Sequence, residues 1–182
     1  MAAKSTLREY IESLLIAVVL SFFIITFIAQ SFLVQGSSMQ PSFYHGQRLL
    51  VDKLSYRFRE PQRGEVVVFR YPADPSRRFI KRIIGLPGDE ILIRDQQVYL
   101  NGVPLVEDYI QGPTFGRFGP VVVPPNAYFV LGDNRNNSDD SRFPDVGFVP
   151  RENIVGRGLF VYWPVTQMRP IGIPAIFQEE KA

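Results

Sequence analysis

The chain has 182 residues and a formal net charge of +2, with 46% hydrophobic and 21% charged residues. That is the composition of a folded domain, not a disordered one, and the charge is too small to imply a nucleic-acid partner. There is no cysteine and one histidine, His45, which excludes a disulfide, a thiolate nucleophile, Cys-ligated zinc and any zinc site needing two histidines.

Residues 14–34 read LLIAVVLSFFIITFIAQSFLV and contain no charge. A bilayer-spanning helix needs about 20 mostly apolar residues, so this run predicts a transmembrane anchor. Ser21, Thr26, Gln30 and Ser31 are tolerable in it because hydroxyls can bond back to the backbone. Lys4 and Arg8 precede the run and favour a cytoplasmic N-terminus, with the rest of the chain on the outer side. The rival reading is a cleaved signal peptide, with Ala29-Gln30-Ser31 as a small-residue cleavage site. The run is longer than the about 7–15 apolar residues of such a peptide, and apolar character resumes at Phe32, Leu33 and Val34. A retained anchor is the expectation.

After Gln35, short β-branched and aromatic runs recur at 48–51, 66–69, 79–84, 91–93, 98–100, 121–123, 128–131 and 159–163, separated by turn residues. With 15 Phe, 8 Tyr, 15 Pro and 14 Gly in the chain, strands and tight turns fit better than a helix bundle. Asn101-Gly102 between apolar runs predicts a hairpin. Residues 111–126, rich in Gly and Pro, predict a loop, and 178–182 a frayed tail. The expected fold is mainly β: one transmembrane helix followed by an all-β, barrel-like domain of short strands.

Three islands carry possible chemistry. The first is Gly36-Ser37-Ser38-Met39-Gln40-Pro41-Ser42, which alone reads as a solvated linker. Ser38 lies four residues beyond Val34, at most about 14 Å of extended chain, so a reaction there would occur beside the lipid. The second island, residues 79–89, places Lys81 and Arg82 in an apolar strand. Alternation puts Lys81 with Phe79 and Ile83, and Arg82 with Ile80 and Ile84. Which face points inward stays open, and two solvated edge cations are the plain alternative. Only a lysine can give up its proton on burial, so a general base from this strand would be Lys81.

The third island runs from Gly132 to Arg142 and reads by itself as a loop held by Asx turns and ion pairs. A calcium loop fits poorly: Arg135 is third after counting Asp133 as first, and no Gly is sixth. Asn136-Asn137-Ser138 matches a glycosylation sequon that arises often by chance. His45, between Tyr44 and Gly46, reads as a turn residue. Pro41 at the fourth position counted from Ser38 excludes a Ser-x-x-Lys nucleophile.

Taken in order, the islands resemble the bacterial type I signal peptidases, Ser/Lys-dyad enzymes. The resemblance rests on Ser38-Met39-Gln40-Pro41, on Lys81-Arg82 followed by Ile83-Ile84-Gly85-Leu86-Pro87-Gly88-Asp89, and on Gly132-Asp133-Asn134-Arg135 with Ser138, Asp140, Ser141 and Arg142. Residues 63–69 and 147–150 also fit, so it covers nearly the whole chain. It implies Ser38 as nucleophile, a neutral Lys81 as general base, the Ser38 N–H as oxyanion donor, Ser138 orienting the lysine amine, and Asp140 and Arg142 holding their loop. It implies no cofactor and no metal. The implied partners are signal-peptide-bearing preproteins, cut after small residues in an Ala-x-Ala pattern, and the lipid bilayer. The implied place is a plasma or thylakoid membrane, with 1–13 cytoplasmic, 14–34 spanning and 35–182 an outer catalytic domain. Three positions depart from the pattern: Gly36 stands where some members have serine, Ser42 where threonine is usual, and Gln47 where aspartate is often found. A self-cleaving repressor-type Ser/Lys protease would need a DNA-binding domain where this chain has its apolar run. A membrane-anchored β domain that only binds partners is the alternative of another class.

Overall fold

The computed structural model describes residues 6–23 and 28–178. Lys4, residues 24–27 (Thr26 among them) and the tail 179–182 lie outside the described residues.

The first element, α1 (Thr6–Phe23), carries Arg8, Glu9 and Glu12 in its opening turns. Beyond them it is apolar on all sides, with Leu14, Leu15, Val18, Val19 and Phe22 exposed. No helix among the described residues is long and apolar enough to cross a membrane. The expected span 14–34 is also corrected at its far end: Ala29–Leu33 is a strand, β1. It pairs antiparallel with β2 (Arg48–Asp52), from Ala29 opposite Asp52 to Leu33 opposite Arg48. The polar members of the run explain this, since Ser31 meets the Tyr162 hydroxyl at 2.6 Å across the sheet. The β domain therefore begins before residue 35, and Ala29-Gln30-Ser31 is paired strand.

Ten further strands follow: β3 (Val66–Tyr71), β4 (Asp74–Gly85), β5 (Glu90–Arg94), β6 (Gln97–Leu100), β7 (Val103–Pro104), β8 (Phe118–Val122), β9 (Ala127–Leu131), β10 (Val149–Pro150), β11 (Ile154–Trp163) and β12 (Arg169–Pro170). The larger sheet has the order β1-β2-β11-β3-β4-β9-β10, with β12 on β11, and the smaller β7-β6-β5-β8. The mainly β expectation holds. Among the described residues no pairing joins β1 to β10, so hydrogen bonds do not close the larger sheet into a barrel.

Asn101 (φ 50°) and Gly102 (φ 80°) make the expected turn between β6 and β7, with the positive φ pair that suits the strand twist. The Gly- and Pro-rich stretch 111–126 is less irregular than expected, because β8 lies within it and pairs with β5.

Apolar side chains from β9, the small sheet and Phe177 form one core cluster, and β3, Ile83, Tyr128 and Val130 anchor a second. The third contains Val34, Met39, Phe43, Leu49, Val51, Val66, Val68 and Val161. It lies under the segment that carries Ser38, whose flanking residues Val34 and Met39 are thereby fixed in the interior.

Candidate active site

Ser38 follows β1 on a short loop. Gln40 N–H donates to Ser37 O at 3.1 Å and Phe43 N–H to Met39 O at 2.8 Å. With Met39 and Phe43 buried, apolar burial on one side and turn hydrogen bonds on the other hold the backbone at Ser38.

Lys81 reaches this loop from β4, where it stands opposite Val67. Its Nζ lies 2.8 Å from Ser38 Oγ and 5.2 Å from the centre of the Phe79 ring. The side chain is 4% exposed, and among the described residues no carboxylate comes within ion-pair distance. Burial disfavours the ammonium and lowers the pKa to about 8, although Asp140, Asp139 and Asp133 pull it upward.

Arg82, left open by the strand alternation, is buried too, at 3%. Its Nε and Nη2 donate to Asp133 at 2.9 and 2.7 Å, and its Nη1 donates to Gly64 O at 2.8 Å. Lys81 and Arg82 are therefore both interior, in opposite conditions: Arg82 is neutralised by a bidentate partner, Lys81 is not.

The loop 132–142 closes the site from the β9 side. Asp140, fully buried, accepts from Arg142 Nε and Nη2 at 2.8 and 2.9 Å and from Gly132 N–H at 3.1 Å. Arg142 also reaches the carbonyl of Arg135. Asn134 joins loop to nucleophile segment: its N–H donates to Ser38 O at 3.0 Å and its Nδ2 to Ser37 O at 3.2 Å. Asn137 Nδ2 donates to Ser37 Oγ at 2.8 Å. Ser138 Oγ is buried and has no hydrogen-bond partner among the described residues, so it makes no bond to Lys81 here. A buried polar group without a partner is uncommon in folded proteins.

Sequence reading placed Gly132 and Arg135 in the third island without giving either a role in the site. Gly132 is required by space, since a Cβ there would stand 2.2 Å from Ser138 Oγ and 2.4 Å from Ser38 O. Arg135 is fully buried and donates to both oxygens of Glu107 at 2.5 Å. A basic residue inside an aspartate- and asparagine-rich loop was the available signal for it. The unusual residues are accommodated. Gln47 is buried, accepts from Tyr44 N–H at 3.0 Å and donates to Gln167 at 2.6 Å. Gly36 has φ +85° in open space, a conformation that favours glycine over serine. The Ser42 hydroxyl is 3.4 Å from Arg82 Nη2. His45 lies in an exposed turn and accepts from Gly36 N–H at 3.2 Å.

Ser38, Lys81, Ser138 and Asp139 line one cleft of about 450 Å³. Its long walls are residues 33–39 and 77–81. β9 joins β4 only from Arg82 onward, so the β4 edge before Arg82 faces the cleft. Among the described residues no group of three or more His, Asp or Glu is placed to hold a metal ion.

The model of the family described as "Signal peptidase, peptidase S26" matches residues 7–163. A probable signal peptidase I-2 of Synechocystis sp. is 46% identical over 171 residues, 91% of this chain and 77% of its own. A signal peptidase I of Leptolyngbya laminosa is 42% identical, over 94% of this chain and 87% of its own. A signal peptidase I of Bacillus licheniformis is 36% identical, over 91% and 94%. With a hydroxyl against a buried amine in an open cleft and relatives matched over most of their length, the chain belongs to the S26 signal peptidase family, among the type I signal peptidases.

Proposed function

We propose that the protein is a membrane-anchored serine endopeptidase that removes signal peptides from exported preproteins, with Ser38 as nucleophile and neutral Lys81 as general base. One observation carries this reading: Ser38 Oγ lies 2.8 Å from a buried amine that has no carboxylate within ion-pair distance among the described residues. An ammonium there would be poorly solvated, and a neutral amine can accept the hydroxyl proton.

In the first step Ser38 Oγ attacks the scissile carbonyl carbon while its proton passes to Lys81 Nζ. The carbonyl oxygen becomes an oxyanion, and the Ser38 backbone N–H is the donor nearest to hand. Lys81 then protonates the departing amine as the C–N bond breaks. An acyl-enzyme remains. Lys81, neutral again, takes a proton from water, whose oxygen attacks the ester, and it returns that proton to Ser38 Oγ as the acyl C–O bond breaks, releasing the new carboxyl end and restoring the dyad. Ser138 Oγ, buried beside the dyad, would accept a second amine hydrogen and aim the Lys81 lone pair at Ser38. Asp140 and Arg142 hold the loop that carries it.

The substrate would lie extended in the cleft, its backbone pairing with the open edge of β4. Val34, Met39 and Ile80 leave the neighbouring wall apolar and tightly filled, which suits an Ala-x-Ala pattern. A preprotein with Ala at the cleavage position is expected to be cut at least about 10²-fold faster, in kcat/KM, than one with Phe there. Overfilling a packed site costs a few kcal/mol, and equal rates would contradict a small pocket.

The exposed apolar surface of α1 is suited to lipid, since a helix hydrophobic all round needs an apolar solvent or a protein interior. This reading places the N-terminus in the cytoplasm and the β domain on the outer face of a plasma or thylakoid membrane. Ser38 then works close to the lipid in which signal peptides reside.

The pH dependence follows from Lys81. Only the neutral amine is active, so kcat/KM should rise about tenfold per pH unit below about 8 and level off above it. A profile flat from pH 6 to 9 would show that Lys81 is not the base.

A further inference from the structure

The two walls of the cleft differ in character. Val34 and Met39 are buried, and Ile80 packs on the same apolar cluster. Ile80 and Lys81 point to opposite faces of β4, and on the Lys81 side the cleft is rimmed by the polar residues Asn137, Ser138 and Asp139. The Asn137 amide is engaged with Ser37, and the Ser138 hydroxyl is buried. Asp139 is exposed, and among the described residues no cation or hydrogen-bond donor engages its carboxylate. Its neighbour Asp140 is buried and neutralised by Arg142, so only one of these adjacent acids has a charge available to the cleft.

Arg77 and Arg78 also line the cleft, but four and three positions before Lys81, roughly 10–14 Å along the strand. The Arg77 guanidinium lies over the rings of Tyr71 and Phe79, and Arg78 donates to Pro75 O at 2.5 Å. Arg77 therefore shares the Phe79 ring with Lys81, whereas Asp139 is the acid that this cleft exposes.

An extended peptide presents successive side chains to opposite walls. The residue at the cleavage position and the one two before it would face the apolar wall. The residue between them then faces the polar rim. On the peptidase reading given above, we propose that Asp139 is a specificity residue that reads the charge of this middle residue, the x of Ala-x-Ala, favouring Lys or Arg and disfavouring Asp or Glu. It acts by direct electrostatic contact with the substrate side chain, and no step of the chemistry passes through it.

The test compares three preprotein peptides that differ only in x (Lys, Gln or Glu), cleaved by the full chain in neutral detergent at one pH. Comparing peptides at one pH cancels any effect of Asp139 on the protonation of Lys81. Rim charges of this kind give roughly 3- to 20-fold contrasts between opposite signs at low ionic strength. The expected wild-type order in kcat/KM is Lys, then Gln, then Glu, with a Lys:Glu ratio in that range that shrinks toward one at about 0.5 M salt. Asp139→Asn should bring the ratio within about 2-fold of one, and Asp139→Lys should invert it. The near-isosteric Asn variant decides the matter if charge reversal impairs folding. A wild-type ratio near one, or a ratio that Asp139→Asn leaves unchanged, overturns the inference while cleavage of the Gln peptide leaves the peptidase reading standing. Failure of the wild type to cleave any of the three overturns both.

Discussion

Lys81→Arg is expected to lower kcat/KM by at least about 10³-fold, although it keeps a cation at the same place on β4. Arginine stays protonated at any pH a protein survives, so it cannot take the Ser38 proton. Loss of one member of a nucleophile–base pair typically removes several powers of ten. Because the larger guanidinium could disturb the packing around Phe79, Lys81→Met is the companion variant. It should lose turnover equally and yet be more stable. Lys81 is 4% exposed, and its pKa falls from the ordinary 10.5 to about 8 in the folded protein. Below pH 8 both folded and unfolded chains hold this proton, so the folded state bears the whole burial cost, about 3 kcal/mol by linkage. Between pH 8 and 10.5 the unfolded state binds more protons than the folded one, and stability rises with pH as the cost disappears. The gain in Tm for Lys81→Met should accordingly be largest below pH 8 and fade above it. Wild-type turnover in either variant would refute the role given to Lys81, whatever the melting curves show.

Gly132→Ala should cost about 10²-fold or more in kcat/KM. The added Cβ would sit 2.2 Å from Ser138 Oγ and 2.4 Å from Ser38 O, and one of these contacts is backbone that cannot rotate away. Either Ser38 or the loop must move, and a misplacement of about 1 Å at a reacting group is enough for a loss of this size. Gly132 N–H also donates to Asp140, so the displacement would spread to the Asp140–Arg142 pair. Gly112→Ala is the control, because a Cβ there meets nothing within 4 Å. Unaltered kinetics in Gly132→Ala would mean that the loop does not govern the geometry at Ser38.

Much of the architecture was legible from local pattern. Short β-branched and aromatic runs and the Asn101-Gly102 turn announced the strands, because β propensity and positive φ leave direct marks on composition. The boundary at β1 was not legible. Residues 14–34 are continuously apolar, with no Gly or Pro between α1 and Ala29, and hydrophobicity alone cannot separate a helix from a buried strand. What decides it is the pairing with β2, which no window of sequence contains. The turn at Asp95 and Gln96, both with positive φ, was missed for a related reason, since neither is the glycine that usually marks such a turn. Within the site, Ser38, Lys81, Ser138, Asp140 and Arg142 were nameable from motifs. Which of Lys81 and Arg82 would be buried was not, although Lys81 was the one nameable as a base. Both prove buried, and Asp133, just past the end of β9, pairs with Arg82 while among the described residues no carboxylate comes within ion-pair distance of Lys81.

The central claim is that Ser38 is the nucleophile of a peptidase. The most direct measurement is cleavage of an Ala-x-Ala preprotein, in detergent, by the wild type and by Ser38→Ala. Removing one hydroxyl from a half-buried serine should leave the fold intact, which a matching Tm would show. The expected result is release of the mature chain at that site by the wild type and a loss of at least about 10³-fold in Ser38→Ala. Equal cleavage by both proteins would contradict the assignment of Ser38, and no cleavage by a folded wild type would contradict the peptidase reading itself.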